Sequence, residues 1–560
     1  MLKNINAKYM VKKALLAILC FSVILSSAAC GAFDEITQIL EGGNDSRPES
    51  TVSGDESNDS EDVTSEIPDT ASEHFVTSAY GEGLIINGYN GTDTFVKIPA
   101  EIDGKAVVAI GANAVKDIVA DEATLCITDI VVPDSVKQIA FSAFSGCKGL
   151  VSLTVPFVGG KETENNYLGY IFGAYTAGGN KTVLPESLTT VVAGGSTVAD
   201  DAFTNCESLQ NIVLSDVISV GKNAFNGCTS LKKLYIPDTV TSIGDGALGG
   251  CSSLYELTLP FLGNGSDKLF FGAVFGAESY AQNNDFVPES LRKVTLGCPA
   301  DIPDGAFYEC NRITYLTITG PVNSVGAKAF YRCRKLKSLE IIGGEGYGGI
   351  DAVSAYSFAY CAALGEVRLD GGITKIPEGA FYGCSALRSV YFGDTANVMP
   401  STVTTLEKGA FAYCESLTAM GLSTALTVIE EQAFYGCSYL LSVEIPAAVT
   451  EIKKDAFKGC GNLKTLTVGD NLTTIGYGAF SYCTVLMAVS LGDNVSVFGD
   501  YAFAYCKYLS DVTIKCNDAK MGKGVFDGCE RIIVTVDPNS GTYESLIEAG
   551  LGNTNLKAPA

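Results

Sequence analysis

The pattern Ala-Phe-x-x-Cys-x-x-Leu-x-x-Leu-x-Leu, in which Val or Ile can replace Leu, recurs along this chain, as in residues 433–445. From Cys414 to Cys529 its cysteine returns every 23 residues. A fixed period of roughly 20 to 50 residues indicates stacked supersecondary units, because one unit alone cannot bury its apolar side. The repeat therefore predicts a solenoid.

The leucine part of the pattern predicts one short strand in each turn. In Leu231–Ile236 the alternation of residue types places Leu234 and Ile236 inward, and Lys233 and Tyr235 outward. Counting strand starts from Ile127 to Ile532 gives about 17 turns. Stacked about 4.8 Å apart, these strands predict a β-rich solenoid with a parallel concave β-sheet.

The repeats resemble the leucine-rich repeats of BspA-like bacterial surface proteins and of Treponema pallidum, which belong to the class with a 23-residue period. The resemblance covers about residues 75–535, and the segments 83–92 and 98–104 are similar to the lead-in of that family. Known members are surface adhesins and binding proteins. The resemblance therefore implies recognition rather than catalysis, and it names no ligand.

The first 29 residues have the pattern of a secretory signal peptide. Four lysines precede an apolar run from Ala14 to Leu25, and the small residues Ser27-Ala28-Ala29 precede Cys30. Residues 27–30 resemble a bacterial lipobox, with Ser27 at the position where that motif prefers Leu. We expect Cys30 to carry lipid and to anchor an extracellular protein to the cytoplasmic membrane, or to the outer membrane of a Gram-negative cell. The alternative is an ordinary signal peptide.

Residues 30–74 differ in composition from the repeats. Between Gly31 and His74 there are 13 acidic residues and one basic residue, Arg47. A chain so charged cannot bury enough apolar surface to offset its conformational entropy, so a disordered acidic tether is predicted. We assign 75–126 to an N-terminal cap, 127–535 to the leucine-rich repeat solenoid and 536–560 to a C-terminal cap.

Charge and residue types exclude several function classes. The formal net charge is -25, and clustered Lys and Arg are not evident, which argues against nucleic acid. The single histidine, His74, precedes the repeats, so Ser-His-Asp and Cys-His arrangements are not expected within them. We therefore predict that the protein is not an enzyme and has no cofactor. We also predict no metal site, because a ladder spreads its thiols along a line instead of bringing them to one point. Buried reduced cysteines are expected, and stacked disulfides are the alternative.

Outward positions of the strands form the predicted binding surface. Tyrosine and arginine are enriched at interface hot spots, and such side chains concentrate in the front half of the repeats. The candidate binding residues are Lys233, Tyr235, Lys293, Tyr315, Glu340, Glu366, Arg368 and Tyr391. Two related excursions at 156–187 and 260–290, and a row of tyrosines beside the cysteines, are further candidate surfaces.

The pattern thus favours a membrane-tethered surface protein that recognises a host or bacterial protein, or a glycan. A structural spacer without a specific ligand is the alternative. A carbohydrate-active enzyme comes third, because carboxylates such as Glu340 and Glu366 on adjacent strands can in principle serve glycoside hydrolysis.

Overall fold

The computed structural model describes residues 68–559, except 121–122, 298–300, 321, 343–349 and 370–371. The chain divides into two units, Met1–Asp69 and Thr70–Ala560. The predicted signal peptide, Cys30 and most of the acidic segment lie outside the described residues.

The second unit is a parallel β-solenoid of about 20 turns, which confirms the predicted fold and slightly exceeds the predicted turn count. We use the name front ladder for the stacked strands formed by the leucine pattern. Its first ten strands form one parallel sheet: Phe95–Lys97, Asp129–Val131, Ser152–Val155, Thr190–Ala193, Asn211–Leu214, Lys233–Tyr235, Glu256–Leu259, Lys293–Gly297, Tyr315–Thr319 and Ser338–Ile342. The later strands are Glu366–Leu369, Ser389–Phe392, Ser442–Glu444, Thr465–Thr467, Ala488–Leu491, Asp511–Ile514, Ile533–Thr535 and Leu556–Lys557.

A second set of short strands precedes the Ala-Phe of each turn. They pair in parallel in four groups, Thr197–Val198 to Ser242–Ile243, Asp301–Ile302 to Ile350–Val353, Lys375–Ile376 with Thr405–Leu406, and Val428–Ile429 to Lys520–Met521, whereas Gln138–Ile139 pairs with Lys105–Ile110. They are Gln138–Ile139, Thr197–Val198, Ser219–Val220, Ser242–Ile243, Asp301–Ile302, Val322–Val325, Ile350–Val353, Lys375–Ile376, Thr405–Leu406, Val428–Ile429, Glu451–Ile452, Thr474–Ile475, Val497–Phe498 and Lys520–Met521.

The remaining elements lie at the ends of the solenoid and in its loops. The other strands are Phe75–Tyr80, Gly83–Tyr89, Glu101–Ile102, Lys105–Ile110, Ile118–Ala120, Ala123–Leu125 and Thr395–Ala396. The 3-10 helices are Ser72–His74, Leu168–Phe172, Ala177–Gly179, Phe271–Phe275, Tyr280–Gln282 and Asn553–Asn555. The α-helices are Asn180–Val183, Asn283–Phe286 and Gly541–Glu548.

The Ala-Phe-x-x-Cys part of each turn builds the core. Phenylalanine rings stack in an unbroken file from Phe271 to Phe526, with neighbouring centroids 5.2–5.7 Å apart. Most of the repeat cysteines donate a hydrogen bond to the phenylalanine carbonyl of an earlier turn, as Cys384 Sγ does to Phe358 O at 3.1 Å. Burial raises the pKa of Cys384 to about 12. All fourteen repeat cysteines are buried and free, which agrees with the predicted reduced thiols.

Residues 70–74, which the sequence analysis assigned to the acidic tether, belong to the folded unit. Thr70 N donates to Lys97 O at 2.9 Å, and Asn90 N donates to His74 O at 2.8 Å. The His74 ring lies 3.3 Å from an Asp93 carboxylate oxygen. Composition placed these residues in the tether, whereas backbone hydrogen bonds to the cap decide their position.

Candidate binding surface

Five of the eight predicted binding residues lie in two parallel rows on the front ladder. Strand register aligns Lys233 with Lys293 and Tyr315 in the first row. It aligns Tyr235 with Glu340 in the second row, through the threonines of the three strands between them. Residues two apart on a strand share a face, so both rows face outward, as the alternation predicted.

Glu366, Arg368 and Tyr391 form a separate group on the next two strands. Strand Glu366–Leu369 pairs in register with Ser389–Phe392, which places Arg368 beside Tyr391. The Arg368 guanidinium carbon lies 4.2 Å from the centre of the Tyr391 ring. At an exposed site such a cation–π contact stabilises by about 0.5–1 kcal/mol. The pair is therefore held in place before any ligand arrives.

Exposure differs among the side chains of the two rows. Tyr235 is 37% exposed and Tyr315 is 44% exposed, whereas Lys293 is half-buried. Lys233 is exposed, but its ammonium group lies 3.2 Å from a Glu256 carboxylate oxygen. The tyrosines are thus the side chains in these rows that offer a partner both apolar area and a hydroxyl group.

The two long excursions are built into the core rather than projecting as free loops. Leu168 and Phe271 are fully buried, and Phe271 stacks on Phe307 with ring centroids 5.2 Å apart. Leu168 N donates to Ala202 O, and Phe271 N donates to Ala306 O, both at 2.9 Å. These segments therefore fill the space that the missing Ala-Phe-x-x-Cys motif would otherwise occupy.

A buried asparagine fixes each excursion. Asn180 Oδ1 accepts from Gly169 N at 2.8 Å, and its Nδ2 donates to Thr204 O at 2.8 Å. In the second excursion Asn283 Oδ1 likewise accepts from Gly272 N at 2.8 Å, whereas its Nδ2 donates to Ala306 O at 3.3 Å. Neither asparagine was predicted from the sequence, although their matching positions in the two related segments are a usable signal. Their role is structural.

The tyrosine row packs against itself across the turns. Seven rings follow one another with centroids 5.1–5.7 Å apart: Tyr280, Tyr308, Tyr331, Tyr360, Tyr382, Tyr413 and Tyr435. Tyr360 adopts a left-handed φ of 62°. A Cβ at Gly383 in the next turn would lie 2.9 Å from the Tyr360 ring, so glycine is required there. Packing on neighbouring turns accounts for this row.

A row of cations that was not predicted from the sequence lies beside the front ladder. The residue after the first leucine of each turn lies at the edge of the strand, and main-chain hydrogen bonds of 2.7–3.5 Å join eleven of these residues in succession, from Thr128 to Arg388. The last seven of them include four cations. We call these seven the edge row: Lys232, Tyr255, Arg292, Thr314, Lys337, Gly365 and Arg388. The premise that Lys and Arg are not clustered is therefore wrong. The run of basic residues in 328–337 was the sequence signal.

Within the part of the chain that the structure describes, no helix is long and apolar enough to cross a membrane. Over the same residues, no group of three or more His, Cys, Asp and Glu side chains is arranged to hold a metal ion.

The sequence profile of the BspA type leucine rich repeat region matches residues 122–166, 181–272, 300–403 and 404–533. A leucine-rich repeat protein from Bacteroides ovatus ATCC 8483 is 20% identical, with 88% of this chain and 100% of that chain covered and a TM-score of 0.31. A leucine rich cell surface protein from Faecalibacterium prausnitzii A2-165 is 20% identical, with 75% and 94% covered and a TM-score of 0.21. The T. pallidum leucine rich repeat protein is 22% identical, with 48% and 91% covered and a TM-score of 0.21. No curated protein matches this chain.

Proposed function

Because this chain belongs to the BspA-type leucine-rich repeat family, we propose that it is a surface protein that binds a protein or a glycan through the front ladder. The observation that carries the proposal is the register that aligns Lys293 with Tyr315, and Tyr235 with Glu340, in two outward-facing rows. Side chains fixed on paired strands lose little freedom when a partner binds, which favours affinity.

The proposal includes a lipid anchor at Cys30, which would hold the protein at the outside of the cell. The basic start, the apolar run and the small residues before Cys30 support it. Mass spectrometry of the mature N-terminus should find a lipid-modified cysteine as the first residue. An unmodified N-terminus, or release of the protein into the medium, would remove the anchor from the proposal.

The binding surface is tested with the intact protein against matrix proteins, mucins and a glycan array. Tyr235→Ala and Tyr315→Ala replace exposed side chains, so the free energy of unfolding should change by less than about 0.5 kcal/mol. Against a ligand found in the survey, at least one of them should weaken binding by about 1–2 kcal/mol, roughly five- to thirtyfold.

Thr467 and Ser490 supply matched controls, because each is exposed at the strand position that Tyr235 occupies, in later turns. Thr467→Ala and Ser490→Ala should leave binding unchanged. Equal losses of ligand affinity in both pairs of variants would mean that the C-terminal turns also bind the ligand. If neither pair affects a confirmed ligand, the front ladder is not its site, and if no ligand binds, the spacer alternative is favoured.

A further inference from the structure

The edge row carries positive charge at a regular interval. Lys232, Arg292, Lys337 and Arg388 occupy every second position of this row, and Tyr255, Thr314 and Gly365 occupy the positions between them. Since stacked strands lie about 4.8 Å apart, neighbouring cations of the row are separated by roughly 10 Å along the solenoid. The four cations together span on the order of 30 Å.

The surroundings of the row are also positive. We call an edge-row residue together with the three residues before it an edge segment. The seven edge segments are 229–232, 252–255, 289–292, 311–314, 334–337, 362–365 and 385–388. They contain seven cations: Lys232, Arg292, Arg312, Arg334, Lys335, Lys337 and Arg388. Their one carboxylate, Glu289, already pairs with Arg312 at 2.8 Å. This strip therefore has the opposite sign to the whole chain, whose formal net charge is -25.

The four regularly spaced cations are available to a ligand. Lys232, Lys337 and Arg388 are exposed. Arg292 is half-buried and donates to the main-chain carbonyls of Glu289 and Leu291 at 2.5 and 2.9 Å. None of the four forms an ion pair with a carboxylate of the described residues. Their charges are therefore not neutralised there.

The periodicity identifies the chemistry of a ligand. A linear polysaccharide that carries an acidic group on alternate sugars presents one anion in each disaccharide, and a disaccharide is about as long as two turns of the solenoid. The residues between the cations suit the neutral sugars, since Tyr255 is 43% exposed and can pack against a pyranose ring. Thr314 and Gly365 offer a small or hydroxylated surface there.

Other anionic partners fit this strip less well. Duplex DNA carries one charge per about 1.7 Å of its axis, far denser than the cations of the edge row. Glu366 follows immediately after Gly365 of the row and is exposed, so its carboxylate can accept hydrogen bonds from sugar hydroxyls. A folded acidic protein has no reason to match a repeat along a straight line.

We propose that the edge row binds a linear acidic polysaccharide of alternating charged and neutral sugars, aligned with the axis of the solenoid. This inference deepens the proposed function, since it rests on the protein being a surface-binding protein and names the ligand class for the edge of the same ladder.

The test measures binding of the intact protein to hyaluronan fragments of increasing length, with neutral dextran as the uncharged comparison. Affinity should rise up to about four disaccharides, one for each cation, and then level off, and it should fall with added salt because the charges are exposed. Dextran should not bind. The double variant Lys232→Gln/Lys337→Gln should weaken binding about five- to thirtyfold, whereas Lys337→Arg should retain it.

Lys464→Gln is the matched control, because Lys464 is exposed at the same position of a later turn, between Leu441 and Met487. It should leave hyaluronan binding unchanged. An equal loss from Lys464→Gln, no binding by the unaltered protein, or tighter binding of duplex DNA at the same salt concentration would each overturn the inference. Those results would leave the proposed function standing, since Tyr235→Ala and Tyr315→Ala test it with a different ligand survey.

Discussion

Replacing Phe457 by alanine should be among the most damaging single changes to this solenoid. The ring is fully buried, and it stacks between Phe434 at 5.3 Å and Phe480 at 5.2 Å, with interplanar angles of 5° and 0°. Truncating a buried phenylalanine costs about 3–5 kcal/mol from lost burial and the cavity left behind. Each lost aromatic contact adds about 0.5–1.5 kcal/mol beyond burial, so we expect the upper half of that range.

Phe526 provides the comparison within the same file. It contacts one ring of the file, Phe503 at 5.7 Å, and is 7% exposed. Phe526→Ala should therefore cost about 0.5–1.5 kcal/mol less than Phe457→Ala, because one aromatic contact instead of two is lost.

Hydrogen exchange measures both changes turn by turn, which suits a structure in which each turn contacts only its neighbours. For Phe457→Ala, the lost protection should centre on the turns that contain residues 434–480. Equal costs for the two variants, or loss of protection spread uniformly along the chain, would refute the reasoning that the stacked rings act as local, additive contacts.

Other predictions follow from buried polar groups. Cys460 is fully buried and its Sγ donates to Phe434 O at 3.3 Å, so Cys460→Ser should lower the free energy of unfolding by about 1–3 kcal/mol in urea denaturation. Because burial raises the pKa of thiols such as Cys384 to about 12, a thiol reagent at mildly alkaline pH should label few cysteines before denaturation and most of them afterwards, without reductant. Labelling that requires reductant would indicate disulfides instead. Asn180→Ala should cost about 2–4 kcal/mol, since it leaves Gly169 N and Thr204 O without their partner, and a thermal melt unchanged from the original protein would contradict this role.

The repeat by itself determined the architecture. A motif that returns every 23 residues from Cys414 to Cys529 can bury its apolar side only by stacking, and alternation along each strand sets which side chains face outward. For that reason the parallel ladder, the buried thiols and the outward positions of Tyr235 and Tyr315 were all accessible from the residues alone. The two excursions were identified too, as insertions that interrupt the motif.

Only the tertiary structure decided what those insertions do and which residues become neighbours across turns. The excursions fill the core because a missing motif leaves a gap that Phe271 must occupy to continue the stack of rings. His74 belongs to the cap because backbone hydrogen bonds hold it there, although its segment is acidic. The basic run 328–337 marks only one part of the edge row, and the row as a whole does not appear in local sequence because Lys232 and Arg388 are 156 positions apart in the chain. Main-chain hydrogen bonds between successive turns bring such distant residues into one line, and register is a property of the folded stack rather than of any one repeat.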